Sequence, residues 1–199
     1  MRIVVLGGAG FIGKKLIEKL LDRGKISLNG RPIQSIEKVV AFDKVLAEGL
    51  PKDERLEIVE GDFTDQQLVS DLIGGDTDLI FHLAAIVSGE AEKNFDLGMK
   101  VNLEASMHLL EHCRYMKNAP VLVFASSCAA YGRELTEVIR DDTTPAPQSS
   151  YGTQKVIVDL LINDYSRRGY IDGRSLRLPT IAIRPGKPNA ATTSFVSSI

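Results

Sequence analysis

Tyr151-Gly152-Thr153-Gln154-Lys155 sets a phenol and a primary amine four residues apart. On a helix that spacing brings both side chains to one face. A free tyrosine titrates near ~10 and is a poor base at neutral pH. An ammonium within a few ångströms favours the phenolate and draws that pKa toward the working range, which makes a base for a hydroxyl proton. Ser127, closing Phe124-Ala125-Ser126-Ser127, is a hydroxyl that could hydrogen-bond the same substrate oxygen. Taken alone, Tyr-x-x-x-Lys is a frequent accident on exposed helices. Its meaning depends on what stands earlier in the chain.

What stands there is Gly7-Gly8-Ala9-Gly10-Phe11-Ile12-Gly13, between an apolar run and an amphipathic segment. In a strand–turn–helix unit Gly7 permits the tight turn, Gly10 lets backbone approach a pyrophosphate, and Gly13 lets the helix pack close. The helix N-terminus then faces the phosphate charge. A glycine turn that binds nothing is the competing reading. The next apolar run ends in Phe42-Asp43. A carboxylate there could hold the adenosine ribose and repel a 2′-phosphate, which favours NAD over NADP. Asp43 lies 30 residues beyond Gly13, against roughly 20 in the usual fingerprint. The polar stretch 25–37, with its Asn29-Gly30 turn signal, accounts for the excess. Lys44 is a cation that could tolerate a 2′-phosphate, and Asp43 also reads as a plain strand-end acid. Gly61-Asp62-Phe63 could bring a carboxylate to the adenine amine. Leu83-Ala84-Ala85 could let backbone near the cofactor, although ordinary turn chemistry fits both segments equally.

Those groups need elements to position them. Apolar runs predict strands at 3–6, 38–42, 56–59, 79–83, 121–124 and 175–178. Helical periodicity predicts a helix from Ile12 to the stop at Gly24, a short one over 65–72, and a long one over 97–118. The last carries Val101, Ala105, Leu109 and Cys113 on one stripe. A final helix spans 150–168 and is closed by Gly169. Strands apolar at every position, each separated from the next by a helix, belong to a parallel sheet covered on both faces. The expected class is α/β, a Rossmann doubly wound parallel sheet with helices on both faces. The segment 132–149, with Pro145 and Pro147, is a long loop of the kind that serves a site.

Composition narrows the field. The 199 residues are 44% hydrophobic and 25% charged with net charge -2, so no basic face invites nucleic acid or an anionic membrane. Cys113 and Cys128 form no CxxC pair, which fits a reducing compartment. The opening apolar run stops at Gly7-Gly8, too short for a signal core or a membrane span, and the expectation is a soluble cytoplasmic protein. His82, His108 and His112 make no metal cluster: His108 and His112 share a helix face without a third ligand, so no metal is expected. Cys128 beside Ser127 reads as a small packing residue.

Four segments together resemble the extended short-chain dehydrogenase/reductase superfamily, which includes nucleotide-sugar epimerases and dehydratases. They are the glycine loop, His82-Leu83-Ala84-Ala85, Ser126-Ser127-Cys128-Ala129-Ala130-Tyr131-Gly132 and Tyr151-Gly152-Thr153-Gln154-Lys155. The resemblance implies a catalytic Ser127, Tyr151 and Lys155; Ser127, five residues before Gly132, matches the catalytic position better than Ser126. It implies NAD contacts from Gly7, Gly10, Phe11, Ile12, Gly13, Asp43, Asp62, Phe63, Leu83, Ala84, Ala85, Asn102, Tyr151, Lys155 and Pro179. Ala85-Ile86-Val87-Ser88-Gly89-Glu90-Ala91-Glu92 and the stretch from Arg177 to Ala191, including Arg184-Pro185-Gly186-Lys187-Pro188, look like the D-erythronate dehydrogenase subgroup. That implies oxidation of the C2 hydroxyl of a small sugar acid. Ser127 would contact that substrate, and Ser88 and Glu90, in the loop after the fourth strand, could do so, an ordinary loop being the equal alternative. Arg184 and Lys187 could neutralise a substrate carboxylate or simply hold a Pro-Gly-rich turn. The resemblance also implies a homodimer formed through the two long helices. Residues 1–178 are then the NAD-binding domain. Residues 179–199 begin a smaller C-terminal substrate lobe that is expected to be largely absent from this chain. Two alternatives stay open: a nucleotide-sugar epimerase or dehydratase with tightly held NAD, and a non-catalytic NAD-binding regulatory module.

Overall fold

A computed structural model describes residues 1–132 and 138–181. β1 (Arg2–Leu6) runs through the glycine turn into α1 (Phe11–Arg23), closed by Gly24 at φ 62° with its N–H on the Leu20 carbonyl. The polar stretch that delays Asp43 folds into a small antiparallel hairpin, β2 (Lys25–Ile26) with β3 (Gln34–Ser35). Asn29 and Gly30 both take positive φ in its loop, as the turn signal predicts. β4 (Lys38–Asp43) and β5 (Leu56–Glu60) follow. The expectation of a helix between every pair of strands fails here. The connection 44–55 is irregular, and Gly49 and Pro51 are the helix-breaking residues within it.

Next come α2 (Gln66–Leu72), β6 (Thr77–His82), α3 (Ser88–Lys93) and α4 (Phe95–Gly98). The Asp65 carboxylate caps α2 by accepting from the Leu68 N–H. A π-helical turn, Met99–Glu104, joins α4 to α5 (Ala105–Arg114). β7 (Val121–Ser127), a 3₁₀ turn (Cys128–Ala130), α6 (Ser150–Arg167) and β8 (Asp172–Leu178) complete the described chain. The single long helix expected over 97–118 is therefore interrupted. Its widened turn lets the Asn102 side chain reach sideways to Ile86 and Gln154, a pairing that helical periodicity does not encode. It also ends early, as Tyr115 and Met116 tighten the last turn by bonding His112 and Cys113 carbonyls.

The main sheet has the order β5-β4-β1-β6-β7-β8, parallel throughout, so the chain reverses direction across the sheet beside β1. This is the doubly wound order, with its crevice at the carboxyl ends of β1 and β6. Alternation along the strands builds two cores. Val4, Leu6, Val40, Phe42, Ile80, Leu122 and Phe124 face α5 and α6, meeting Leu109, Cys113, Val158 and Ile162. Ile3, Val5, Val39, Ala41 and Leu79 face α1, meeting Ile17, Leu20 and Leu21, each worth roughly 1.5–3 kcal/mol of apolar burial. Only the inner strands are covered on both sides: at the edges, β5 exposes Ile58 and β8 exposes Leu176. Pairing with β8 carries β7 on to Ser127, three residues past its apolar run. No helix among the described residues is long and apolar enough to cross a membrane.

Leu109 is wholly buried between α5 and the sheet. Leu109→Ala is expected to lower unfolding stability by about 2–5 kcal/mol, read from the urea midpoint at unchanged slope.

Candidate functional site

Over the carboxyl ends of the strands lies a cleft of about 740 Å³. Its floor is the glycine turn, where Gly7 takes φ 89° and a Cβ would lie 2.8 Å from the Ala84 backbone nitrogen. At Gly13 a Cβ would stand 2.2 Å from the Gly7 carbonyl oxygen, so only glycine lets α1 start this close to β1. Gly10 is the N-cap of α1 and supplies no side-chain cap, and the first turn carries no acid. The leading amides of α1 are thus left for an anion, and a pyrophosphate fits that cradle. Phe11 and Ile12, both partly exposed, line the cleft beside them.

Asp43 closes β4 and braces the turn, its carboxylate accepting from the Ala9 N–H at 3.0 Å and the Lys44 N–H at 2.7 Å. Asp62 accepts from the Thr64 N–H, the Thr64 hydroxyl and, at 3.0 Å, the Lys44 ammonium. These donors, the Thr64 backbone first, hold the Asp62 pKa at about 2. Lys44, the cation whose position could have favoured a 2′-phosphate, is therefore engaged by Asp62. Phe63 turns its ring into the core, 4.9 Å from the His82 ring. Leu83 and Ala85 line the cleft, while Ala84 packs against the core and Gly7.

Across the cleft stand Ser127, Tyr151 and Lys155. Strand alternation separates the two serines. Both border the cleft, but the Ser126 hydroxyl is buried and donates to Asp159 at 3.0 Å, whereas the Ser127 oxygen accepts from the Ala129 N–H. Helix α6 begins at the mouth of the cleft because Ser149 caps it, accepting from the Gly152 N–H. Gly152 lets α6 sit against the 3₁₀ turn, since a Cβ there would meet the Ala129 carbonyl at 2.2 Å. Lys155 is 2% exposed, donates to the Ala125 carbonyl at 2.9 Å, and holds its ammonium 4.5 Å from the Phe124 ring centroid and 5.6 Å from that of Tyr151. Burial draws its pKa down to about 8, against the opposing pull of Asp159.

Ser88 and Pro179 line the same cleft. Glu90 lies on the same short helix outside the lining, and it is Glu92 that faces the cleft while accepting from the Ser150 N–H at the start of α6. Asn102 is 1% exposed and acts at one remove. Its oxygen accepts from the Ile86 N–H at 2.9 Å and its amide donates to Gln154, which fixes the loop ahead of Ser88 against α6. Arg184 and Lys187 fall outside the described residues. Sequence reasoning missed Glu92, Gln148, Gln154 and Asp159. The last alone left a trace, being four residues beyond Lys155 on the same helix.

His82 is buried between Phe63 and Phe124 with Ser106 at 2.8 Å. Burial first, then the nearby Lys155 charge, lowers its pKa to about 3, so it is neutral and structural. His108 and His112 edge a separate pocket of about 220 Å³, bonding Gln66 and the Ile73 carbonyl. No group of three metal-ligating side chains gathers among the described residues. Cys128 is exposed and also lines the main cleft.

Residues 3–199 match the NAD dependent epimerase/dehydratase family. The chain belongs to that family. NAD is its cofactor, and the uncapped α1 terminus and glycine cradle fit it. The chain is 52% identical over its full length to a D-erythronate dehydrogenase of Cupriavidus necator, and 46% identical to one of Haemophilus influenzae. It spans about 61% of the length of each. A crystal structure described as the nucleoside-diphosphate-sugar epimerase of Agrobacterium tumefaciens superposes with TM-score 0.88 at 42% identity, over 99% of this chain and 58% of that one.

The family's cofactor gives the glycine cradle a direct test. Gly13→Ala forces the α1 terminus away from Gly7, and NAD affinity measured by titration calorimetry is expected to fall at least about tenfold, roughly 1.4 kcal/mol.

Proposed function

We propose that this chain is the cofactor-binding and proton-transfer part of an NAD-dependent dehydrogenase that oxidises the C2 hydroxyl of a small sugar acid resembling D-erythronate. The observation that carries the reading is the joint placement of Ser127, Tyr151 and Lys155 on one wall of a cleft whose floor is the glycine cradle. Full-length likeness to two D-erythronate dehydrogenases supports the substrate class. Residues 1–178 are proposed as the NAD domain, and 179–199 as the beginning of a region that contacts substrate, Arg184 included.

Bound NAD supplies a hydride acceptor. The Ser127 hydroxyl donates to the substrate C2 oxygen and fixes its direction. Tyr151, as phenolate, takes the proton of that hydroxyl on its own oxygen. The electron pair of the broken O–H bond becomes the second C–O bond as the C2 hydrogen departs with its pair. Lys155, as ammonium, stabilises the phenolate before the transfer, and its anchor on the Ala125 carbonyl keeps it from the bulk. The Asp43 carboxylate is proposed to hold the adenosine ribose, Asp62 the adenine side, and Ser88 the substrate.

The same wall would serve an epimerase, and the Agrobacterium tumefaciens relative is described as one. The two readings differ in net redox change. Steady NADH formation with D-erythronate, and none with UDP-glucose, is the expected outcome. Consumption of UDP-glucose without net NADH would establish the epimerase in its place. Tyr151→Phe keeps the ring and removes the proton acceptor. Turnover of D-erythronate is expected to drop by about 10²–10⁴-fold with NAD binding intact, and full activity in that variant would refute the assignment.

A further inference from the structure

Behind Lys155 lies a carboxylate that the proton transfer itself does not use. Asp159 is 1% exposed, one helical turn beyond Lys155 on α6. One of its oxygens accepts from the Ser126 hydroxyl at 3.0 Å and from the Arg177 Nε at 3.2 Å, and the other has no hydrogen-bond donor among the described residues. Arg177 comes from β8 and spends a second N–H on the Tyr131 hydroxyl at 3.0 Å, so its charge is divided. A purely structural tie between α6 and β8 would be expected to satisfy both carboxylate oxygens, since an unsatisfied buried charged group is costly. A carboxylate left half satisfied, one turn from a wholly buried ammonium, fits a different purpose.

We propose that Asp159 is a positioning residue of this site, the counter-charge that keeps Lys155 an ammonium inside the core, with Arg177 setting how much of that charge Lys155 feels. The inference rests on Lys155 acting as proposed above. The groups facing the Lys155 ammonium can be named from every side. Tyr151 comes from α6, the Phe124 ring and the Ala125 carbonyl from β7, and neutral His82 from β6, while Asp159 lies one turn further along α6, charged but not in a direct ion pair with the ammonium. Asp159 is the anion among them that opposes the desolvation of Lys155. Without it the ammonium form would be lost at lower pH, and with it the support for a Tyr151 phenolate.

The signs of two substitutions separate this role from a structural one. Asp159→Asn keeps the shape and removes the charge, and should move the Lys155 titration down by about one pH unit. Arg177→Gln frees the Asp159 charge and removes a competing cation, and should move it up. Both variants break the same ion pair, so a merely structural loss would leave Lys155 alone or shift it the same way in both. The readout is ¹³Cε lysine NMR of the full chain, with the Lys155 resonance assigned by its disappearance in Lys155→Arg. Opposite shifts support the proposal, while no shift or shifts of one sign overturn it. If Asp159→Asn does not fold, Arg177→Gln decides alone: a rise supports, and an unchanged titration overturns. With substrate, the alkaline limb of kcat/KM should follow the same order. Opposite NMR shifts in a protein that turns over no sugar acid uphold the counter-charge and remove only the dehydrogenase reading.

Discussion

β1 is bonded in parallel to β4 on one side and to β6 on the other, and everything at the cleft hangs from that arrangement. Parallel strands end together, so the three carboxyl ends deliver Gly7, Asp43 and Leu83 to one rim. The backbone confirms how closely they meet there: Gly7 and Gly8 donate to the Phe42 carbonyl, and Leu83 donates to that of Leu6. Because the order reverses beside β1, no crossover covers this rim, and a dinucleotide can lie across it. Both cores serve this one demand. They hold β1 wholly out of water on two faces, so its end cannot drift when the turn binds charge.

The second constraint is a charge in the wrong solvent. Lys155 carries an amine into the interior of the α6 side, where burial works against its ammonium form. The surroundings offset this in parts: a carbonyl at the end of β7, an aromatic face from Phe124, and a carboxylate one turn away. These parts come from different elements, which makes the lysine sensitive to how α6 lies on β7 and β8. Glycines at 98 and 152 permit that close seating. A Cβ at Gly98 would sit 2.7 Å from the Gln154 amide, and one at Gly152 would strike the Ala129 carbonyl. The π-helical turn at Asn102 belongs to the same seating, since its side chain is the link between α6 and the loop that precedes Ser88.

Family membership and the shape of the cleft point in one direction. Beside Tyr151 the cleft is also lined by Ser88, Glu92 and residues 178–181. The chain spans about 61% of the length of the D-erythronate dehydrogenases it resembles, and Ser127, Tyr151 and Lys155 all line its cleft.

The sequence by itself determined the sheet, the glycine cradle and the pairing of Tyr151 with Lys155 on one helix face, because each has a local signature. Short continuous apolar runs mark buried strands, three glycines follow a strand, and a phenol and an amine stand one helical turn apart. It also marked the Asn29-Gly30 turn, whose positive φ values follow from residue type. The tertiary structure decided what depends on partners distant in the chain. It extended β7 to Ser127 through pairing with β8, broke the long helix at Asn102, and turned the Ser126 hydroxyl to Asp159. It sent the Phe63 ring into the core and brought Glu92, rather than Glu90, to the cleft. Above all it paired Asp159, one turn beyond Lys155, with Arg177 and Ser126. A lysine's own sequence neighbours fix only its helix face, whereas its charge is governed by the solvent it loses and the anions it meets.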